Sequence, residues 1–220
     1  MATHWSSDDH SSVGSLPEKL SALNTQMLAL GLANVLDIAP NVIVDLKYST
    51  TDNFTGEDLY GRMKRCYLQP EVAEMIAKAQ AILESTHPEL RLKLFDCARP
   101  MHVQQRMWEL VRHTEAHKYV AAPSHGSLHN FGAAVDLTLS DTDGNELDMG
   151  SPFDNFDSIA QPRYEMDFYE RGRLTQEQLQ NRWLLRNTMK QAGFIGILLE
   201  WWHFNAMTIE EARGRYTLIE

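Results

Sequence analysis

The chain has 220 residues, 43% of them hydrophobic, and a formal charge of −10. That is enough to fill one globular core, and it excludes the basic face of a nucleic-acid binder and the polybasic patch of a membrane-surface protein. No apolar run approaches the ~20 residues needed to span a bilayer, which excludes membrane insertion.

Residues 1–15 read as a flexible polar arm. They lack the basic head and apolar core of a signal peptide, so a cytoplasmic location is the default; a periplasmic one would follow if a signal had been removed. Residues 16–30 predict a helix, with Pro17 in its first turn and Gly31 ending it. Residues 42–48 predict a strand, and the Thr, Asp, Asn and Gly of residues 50–61 a loop. Pro70 opens an amphipathic helix over 71–85, with Val72, Ile76, Ala79 and Leu83 on one stripe. Residues 90–96 alternate strictly and predict the clearest strand. Arg99 lies just past its end, beside Pro100, where it can serve a site or simply pair with Asp96.

A helix is expected over 101–119. His113 and His117 stand four apart on it, but no third ligand is evident, so they read as solvated surface residues. Residues 121–128 form a loop in which His125 has no ligand-like spacing. Val135 to Leu139 alternates as a strand, with Asp136 and Thr138 on one face. Residues 141–146 form a turn, with Asp143-Gly144 as a hairpin signal and no full calcium loop. Residues 163–174 are charged and aromatic, a surface lid or connector. Thr175 starts a helix running to Gly193. The apolar run 195–199 predicts a buried strand leading to Glu200, and a short acidic tail follows. There is no repeat, no low-complexity tract and no linker, so residues 16–220 make one domain.

Two cysteines, Cys66 and Cys97, lack the spacing of a metal or redox motif. Two buried free thiols are the plainer expectation. The alternative is one disulfide tying the segment before the first long helix to the arginine strand, in an oxidising compartment.

His129, Asp136 and His203 are the candidate metal ligands. Catalytic zinc takes three such donors and keeps a fourth position for water. His129 is an odd number of residues from Asp136, so a straight strand would point them to opposite faces. Gly132 is where the backbone can bend, and Ala133 and Ala134 give it room. Glu200 ends an apolar run beside Trp201 and Trp202, and a buried carboxylate there must be compensated. It is either a satisfied structural acid or a general base over a metal-held water. In the second case the strand must kink or end between Glu200 and His203, since residues three apart on a flat strand face opposite ways.

The pattern Ser127-x-His129-x-x-Gly132-x-Ala134-x-Asp136, followed by Glu200-Trp201-Trp202-His203, resembles the zinc D,D-peptidases and within them the D-alanyl-D-alanine dipeptidases of the vancomycin-resistance type. Asp45 to Thr50 with Asp52 to Gly56, Asp96-Cys97-Ala98-Arg99-Pro100 and Met149 to Asp154 are similar to further family segments. The matches run from about Asp45 to Phe204. Ala98 departs from the aromatic residue that the family often has before its arginine.

The resemblance implies an α+β single domain, with a mainly antiparallel central sheet flanked by helices and a zinc site at the sheet. It implies one Zn2+ per chain on His129, Asp136 and His203, Glu200 as general base, and Arg99 stabilising the oxyanion. Ser127 would meet the substrate's carboxylate and Asp154 its ammonium; Tyr48 or Tyr60 would help hold it. The implied partner is a small dipeptide. Two other functions stay open: a D,D- or L,D-carboxypeptidase trimming cell-wall peptides, and a non-catalytic zinc module that binds them.

Overall fold

A computed structural model describes residues 22–220. The expected arm over 1–15 and the start of the helix expected over 16–30 lie outside the described residues. The elements are α1 (Ala22–Ala29), β1 (Ala33–Asn34), α2 (Val35–Ile38), β2 (Ile43–Val44), β3 (Tyr67–Leu68), α3 (Pro70–Thr86), β4 (Leu90–Asp96), α4 (Met101–Val111), β5 (Ala134–Asp141), α5 (Glu165–Glu170), α6 (Gln176–Ala192), β6 (Ile195–Gly196), β7 (His203–Asn205) and α7 (Ile209–Arg215). The fold is α+β. Five strands form one sheet in the order β2-β4-β5-β7-β6, and β1 pairs with β3 apart from it. Only β2 runs parallel to its neighbour; the other pairs are antiparallel.

Alternation along β4 and β5 sorts the side chains between the two faces of this sheet. Leu92, Leu94, Val135, Leu137 and Leu139 are fully buried on the face covered by α3 and α6. Each such leucine or valine contributes roughly 1.5–3 kcal/mol by leaving water. From α3 the stripe Val72, Ile76, Ala79 and Leu83 meets them. Thr175 and Gln178 form a reciprocal cap at the start of α6, and Gly193, at φ 111°, ends it. Asp136 and Thr138 point to the other face.

On β4 the pattern breaks at one place. Leu94 pairs with Leu137, but the next pair is Asp96 with Asp136, so one residue bulges out at Phe95. Strict alternation would leave Asp96 on the same face as Leu92 and Leu94. The bulge re-aims it beside Asp136, as bulges near functional sites do.

Four expectations are corrected. The strand over 42–48 shrinks to Ile43–Val44 and passes into a 3-10 turn at Lys47–Ser49. Its pairing with β4 stops where β4 bulges. The helix over 101–119 ends at Val111, because the Thr114 hydroxyl accepts the Ala116 N–H and starts a separate 3-10 turn, Glu115–Tyr119. The run 195–199 is not a buried strand. β6 has two residues at the sheet edge, and Ile195 and Leu198 are 54% and 66% exposed. Cys66 and Cys97 are not free thiols: they are buried and joined, with their Cα atoms 5.6 Å apart.

Among the described residues no helix is long and apolar enough to cross a membrane.

Candidate metal centre and its cavity

Asp136 and His203 are direct partners across the β5–β7 pair. His129 arrives by another route. Ser127 and Asn130 cap a 3-10 turn over Leu128–Phe131, and Gly132 closes it in the left-handed conformation, at φ 65°. The bend returns the chain into β5 with His129 facing the same side as Asp136. A side chain at Gly132 would sit 2.7 Å from Leu32 Cδ2 and 3.3 Å from the Gln69 nitrogen, so the close approach itself demands glycine.

The three donors converge. His129 Nε2 lies 3.2 Å from His203 Nδ1 and 3.4 Å from Asp136 Oδ2, and His203 Nδ1 lies 2.9 Å from Asp136 Oδ1. A tetrahedral ion with bonds of about 2.0–2.1 Å holds its ligand atoms about 3.3 Å apart. Among the described residues these three make the one His, Cys, Asp or Glu group close enough to share an ion.

The outer nitrogens fix the tautomers. His129 Nδ1 donates to the Cys97 carbonyl at 2.7 Å, and His203 Nε2 donates to Asn205 Oδ1 at 2.8 Å. In the neutral rings both lone pairs then face the centre, which suits a cation. Burial opposes charge on Asp136, and its carboxyl is held far below the usual range only while the rings are protonated; with the rings neutral, a cation at the centre takes that part. The donor set and its spacing therefore fit a divalent metal.

A cavity of about 510 Å³ opens over this centre. Glu200 lines it from the segment before β7, with Oε2 3.9 Å from His203 Nδ1. The chain turns between Glu200 and His203, which lets both face one space. Burial pushes the Glu200 carboxyl up to about 8.

Arg99 is buried and also lines the cavity. Its Nε and Nη2 donate to Asp96 Oδ2 at 2.9 and 2.6 Å, and its Nη1 donates to Gln104 Oε1 at 2.9 Å. It does pair with Asp96, and it faces the centre as well, with Nη2 3.7 Å from Asp136 Oδ2.

At another wall, the Tyr48 hydroxyl donates to Asp154 Oδ1 at 2.9 Å. Burial raises the Tyr48 phenol well above its ordinary value, so it stays a donor. Burial likewise pushes Asp154 up to about 8, against the Tyr48 bond. Asp154 has φ 58°, a conformation that costs a non-glycine residue about 1–3 kcal/mol and persists where the surroundings dictate it.

Of the two candidate tyrosines, Tyr48 lines the cavity. Tyr60 stands behind, its hydroxyl donating to Asp96 Oδ1 at 2.6 Å. Ser127 lines the cavity while its hydroxyl oxygen accepts the His129 N–H. His125 is exposed at the rim, and His113 and His117 are exposed elsewhere on the surface.

Sequence reasoning passed over the supporting residues Gln104 and Asn205, and offered Tyr60 for a different role, that of holding substrate. Asn205 was findable, because residues i and i+2 of a strand share a face. Gln104 gave no signal before the chain was folded.

A family model described as D-Ala-D-Ala dipeptidase, peptidase M15, matches residues 28–216. The chain is 34% identical to a D-alanyl-D-alanine dipeptidase of Escherichia coli K12, over 79% of this chain and 83% of that one. It is 30% identical to a D-alanyl-D-alanine dipeptidase of Enterococcus faecium, over 80% and 92% of the two chains. One from Synechocystis is 31% identical over 68% and 72%.

Proposed function

The chain belongs to the D-Ala-D-Ala dipeptidase family of M15 metallopeptidases, and from that premise we propose that it hydrolyses D-alanyl-D-alanine to free D-alanine with one zinc ion held by His129, Asp136 and His203. The observation that carries this reading is the convergence of those three donors beside Glu200.

Bound zinc would lower the pKa of a water molecule and polarise the scissile carbonyl. Glu200 takes the proton from the attacking water and passes it to the leaving amine. Its burial matches that double role: the carboxyl holds a proton readily, and a neighbouring cation favours the ionised form needed at the start. Arg99 stabilises the oxygen on which negative charge develops. Asp96 and Gln104 occupy three of its N–H donors and leave two for that oxygen. Asp154, oriented by Tyr48, takes the substrate's ammonium group; Ser127 takes its carboxylate. Gripping both charged ends favours a dipeptide over longer chains. The Cys66–Cys97 bridge supports work in an oxidising compartment rather than the cytoplasm.

The test is release of D-alanine from D-Ala-D-Ala, with and without a chelator, beside a wall pentapeptide. Release from the dipeptide alone, abolished by chelation and restored by zinc, is the expected result. Cleavage of the pentapeptide instead would make the protein a carboxypeptidase. Cleavage of neither by the zinc-loaded protein would make it a binding module.

A further inference from the structure

Arg182, on α6, is 1% exposed and makes no ion pair among the described residues. Burying a cation without a counterion is costly. Burial lowers its pKa to about 10, which still leaves it charged at neutral pH. All of its hydrogen bonds go to neutral oxygens. Nε donates to the Met149 carbonyl at 2.6 Å, Nη1 to the Ile159 carbonyl at 2.9 Å, and Nη2 to Ser151 Oγ at 3.4 Å.

Those acceptors belong to one loop. Met149 and Ile159 are its two ends, and Asp154 stands midway between them. The loop has no helix or strand of its own before the turn at Ser158–Ala160. Its first shoulder is fixed on the far side too, since Ser151 Oγ also accepts the Trp201 indole N–H at 2.9 Å, next to Glu200. Gly150, left-handed at φ 76°, presses against Leu174 and Gln178 so closely that a Cβ there would lie 2.2 Å from Leu174. A methionine could fill the volume of Arg182, but it could not accept the task of satisfying two backbone carbonyls ten residues apart.

We propose that Arg182 is a positioning residue for the substrate's amine end: by pinning both ends of the 149–159 loop it sets where Asp154 stands in the cavity, and hence how tightly a substrate ammonium is held. This rests on the reading of Asp154 given above.

The test compares Arg182→Lys and Arg182→Gln with Asp154→Asn and with the Arg182→Lys/Asp154→Asn double variant, in the zinc-loaded protein. Steady-state kinetics on D-Ala-D-Ala, zinc content and amide deuterium exchange are the readouts. KM should rise about tenfold or more in the Arg182 variants while kcat stays within about twofold, with zinc content unchanged. Exchange should quicken within 150–158 and not in β4 or β5. Once Asp154→Asn is present, Arg182→Lys should add less than about twofold to KM, because both changes act through one group.

An unchanged KM in a folded Arg182→Lys protein overturns the proposal. So do losses that multiply in the double variant, or exchange that quickens throughout the sheet. If neither Arg182 variant folds, Ser151→Ala decides: a raised KM with full zinc content supports the proposal and an unchanged KM overturns it. A wild-type protein that releases no D-alanine sinks the functional reading instead, and the exchange data still show whether Arg182 holds the loop.

Discussion

Glu200 and Asp154 are both carboxyls pushed up to about 8 by burial, and they are assigned opposite tasks. Replacing Glu200 by glutamine keeps its size and removes its basicity. D-Alanine release should then fall about a thousandfold or more while zinc content is unchanged, and near-normal turnover would refute the base assignment. On the proposed reading Asp154 serves by being charged, so its titration should appear in KM. KM for the dipeptide should fall as pH rises from 6 towards 8, and in Asp154→Asn it should be high and flat. Stability should move the other way. The folded chain keeps a proton on Asp154 that the unfolded chain, with its ordinary value of 3.8, has already released. Between about pH 4 and pH 8 this group therefore makes the fold less stable as pH rises, and fully so only above the raised value. Thermal melts of the metal-free protein should show that slope, and it should be shallower in Asp154→Asn.

Among the elements, the turn ahead of β5 carries a constraint that bears directly on the centre. Gly132→Ala would add a Cβ 2.7 Å from Leu32 in a left-handed backbone. A cost of about 1–3 kcal/mol in urea unfolding is expected, together with weaker zinc binding by titration, because His129 rides on that turn. Wild-type values for both would remove the turn from the argument. That bend was legible in the sequence from parity alone: His129 and Asp136 could share a face only if the chain turned between them. The long elements were legible for the same kind of reason. Leu90 to Leu94 alternates, α3 has its stripe, and α6 has Thr175 and Gly193 at its ends. Short strands were not. Residues 42–48 and 195–199 have apolar content, but how many of their residues form strand depends on a neighbour that the local pattern does not contain. The bulge at Phe95 was overlooked, although Leu94-Phe95-Asp96 breaks the alternation at that place.

At the scale of the whole molecule, the disulfide links β3 to the end of β4, closing a separation of 31 residues. In the chain-entropy picture a loop of that length stabilises the fold by roughly 4 kcal/mol. It also steadies Cys97, whose carbonyl orients His129 and which stands between Asp96 and, two residues on, Arg99. The sequence left this pairing open because two cysteines 31 apart carry no information about distance in space. The candidate ligand trio was legible as residue types. The contacts that hold Arg99 in place, from Gln104 directly and from Tyr60 through Asp96, became visible only with the fold.

Asp136 and His203 face each other as neighbours across two strands, and β7 has only three residues. If β7 docked one position out, His203 would swing to the helix-covered side and Phe204 would take its place. Such a misfolded chain would keep nearly all its helix and sheet yet fail to capture the ion. On the proposed reading, zinc uptake would gauge correct strand alignment, and ion-loaded molecules would by that fact be the properly assembled ones.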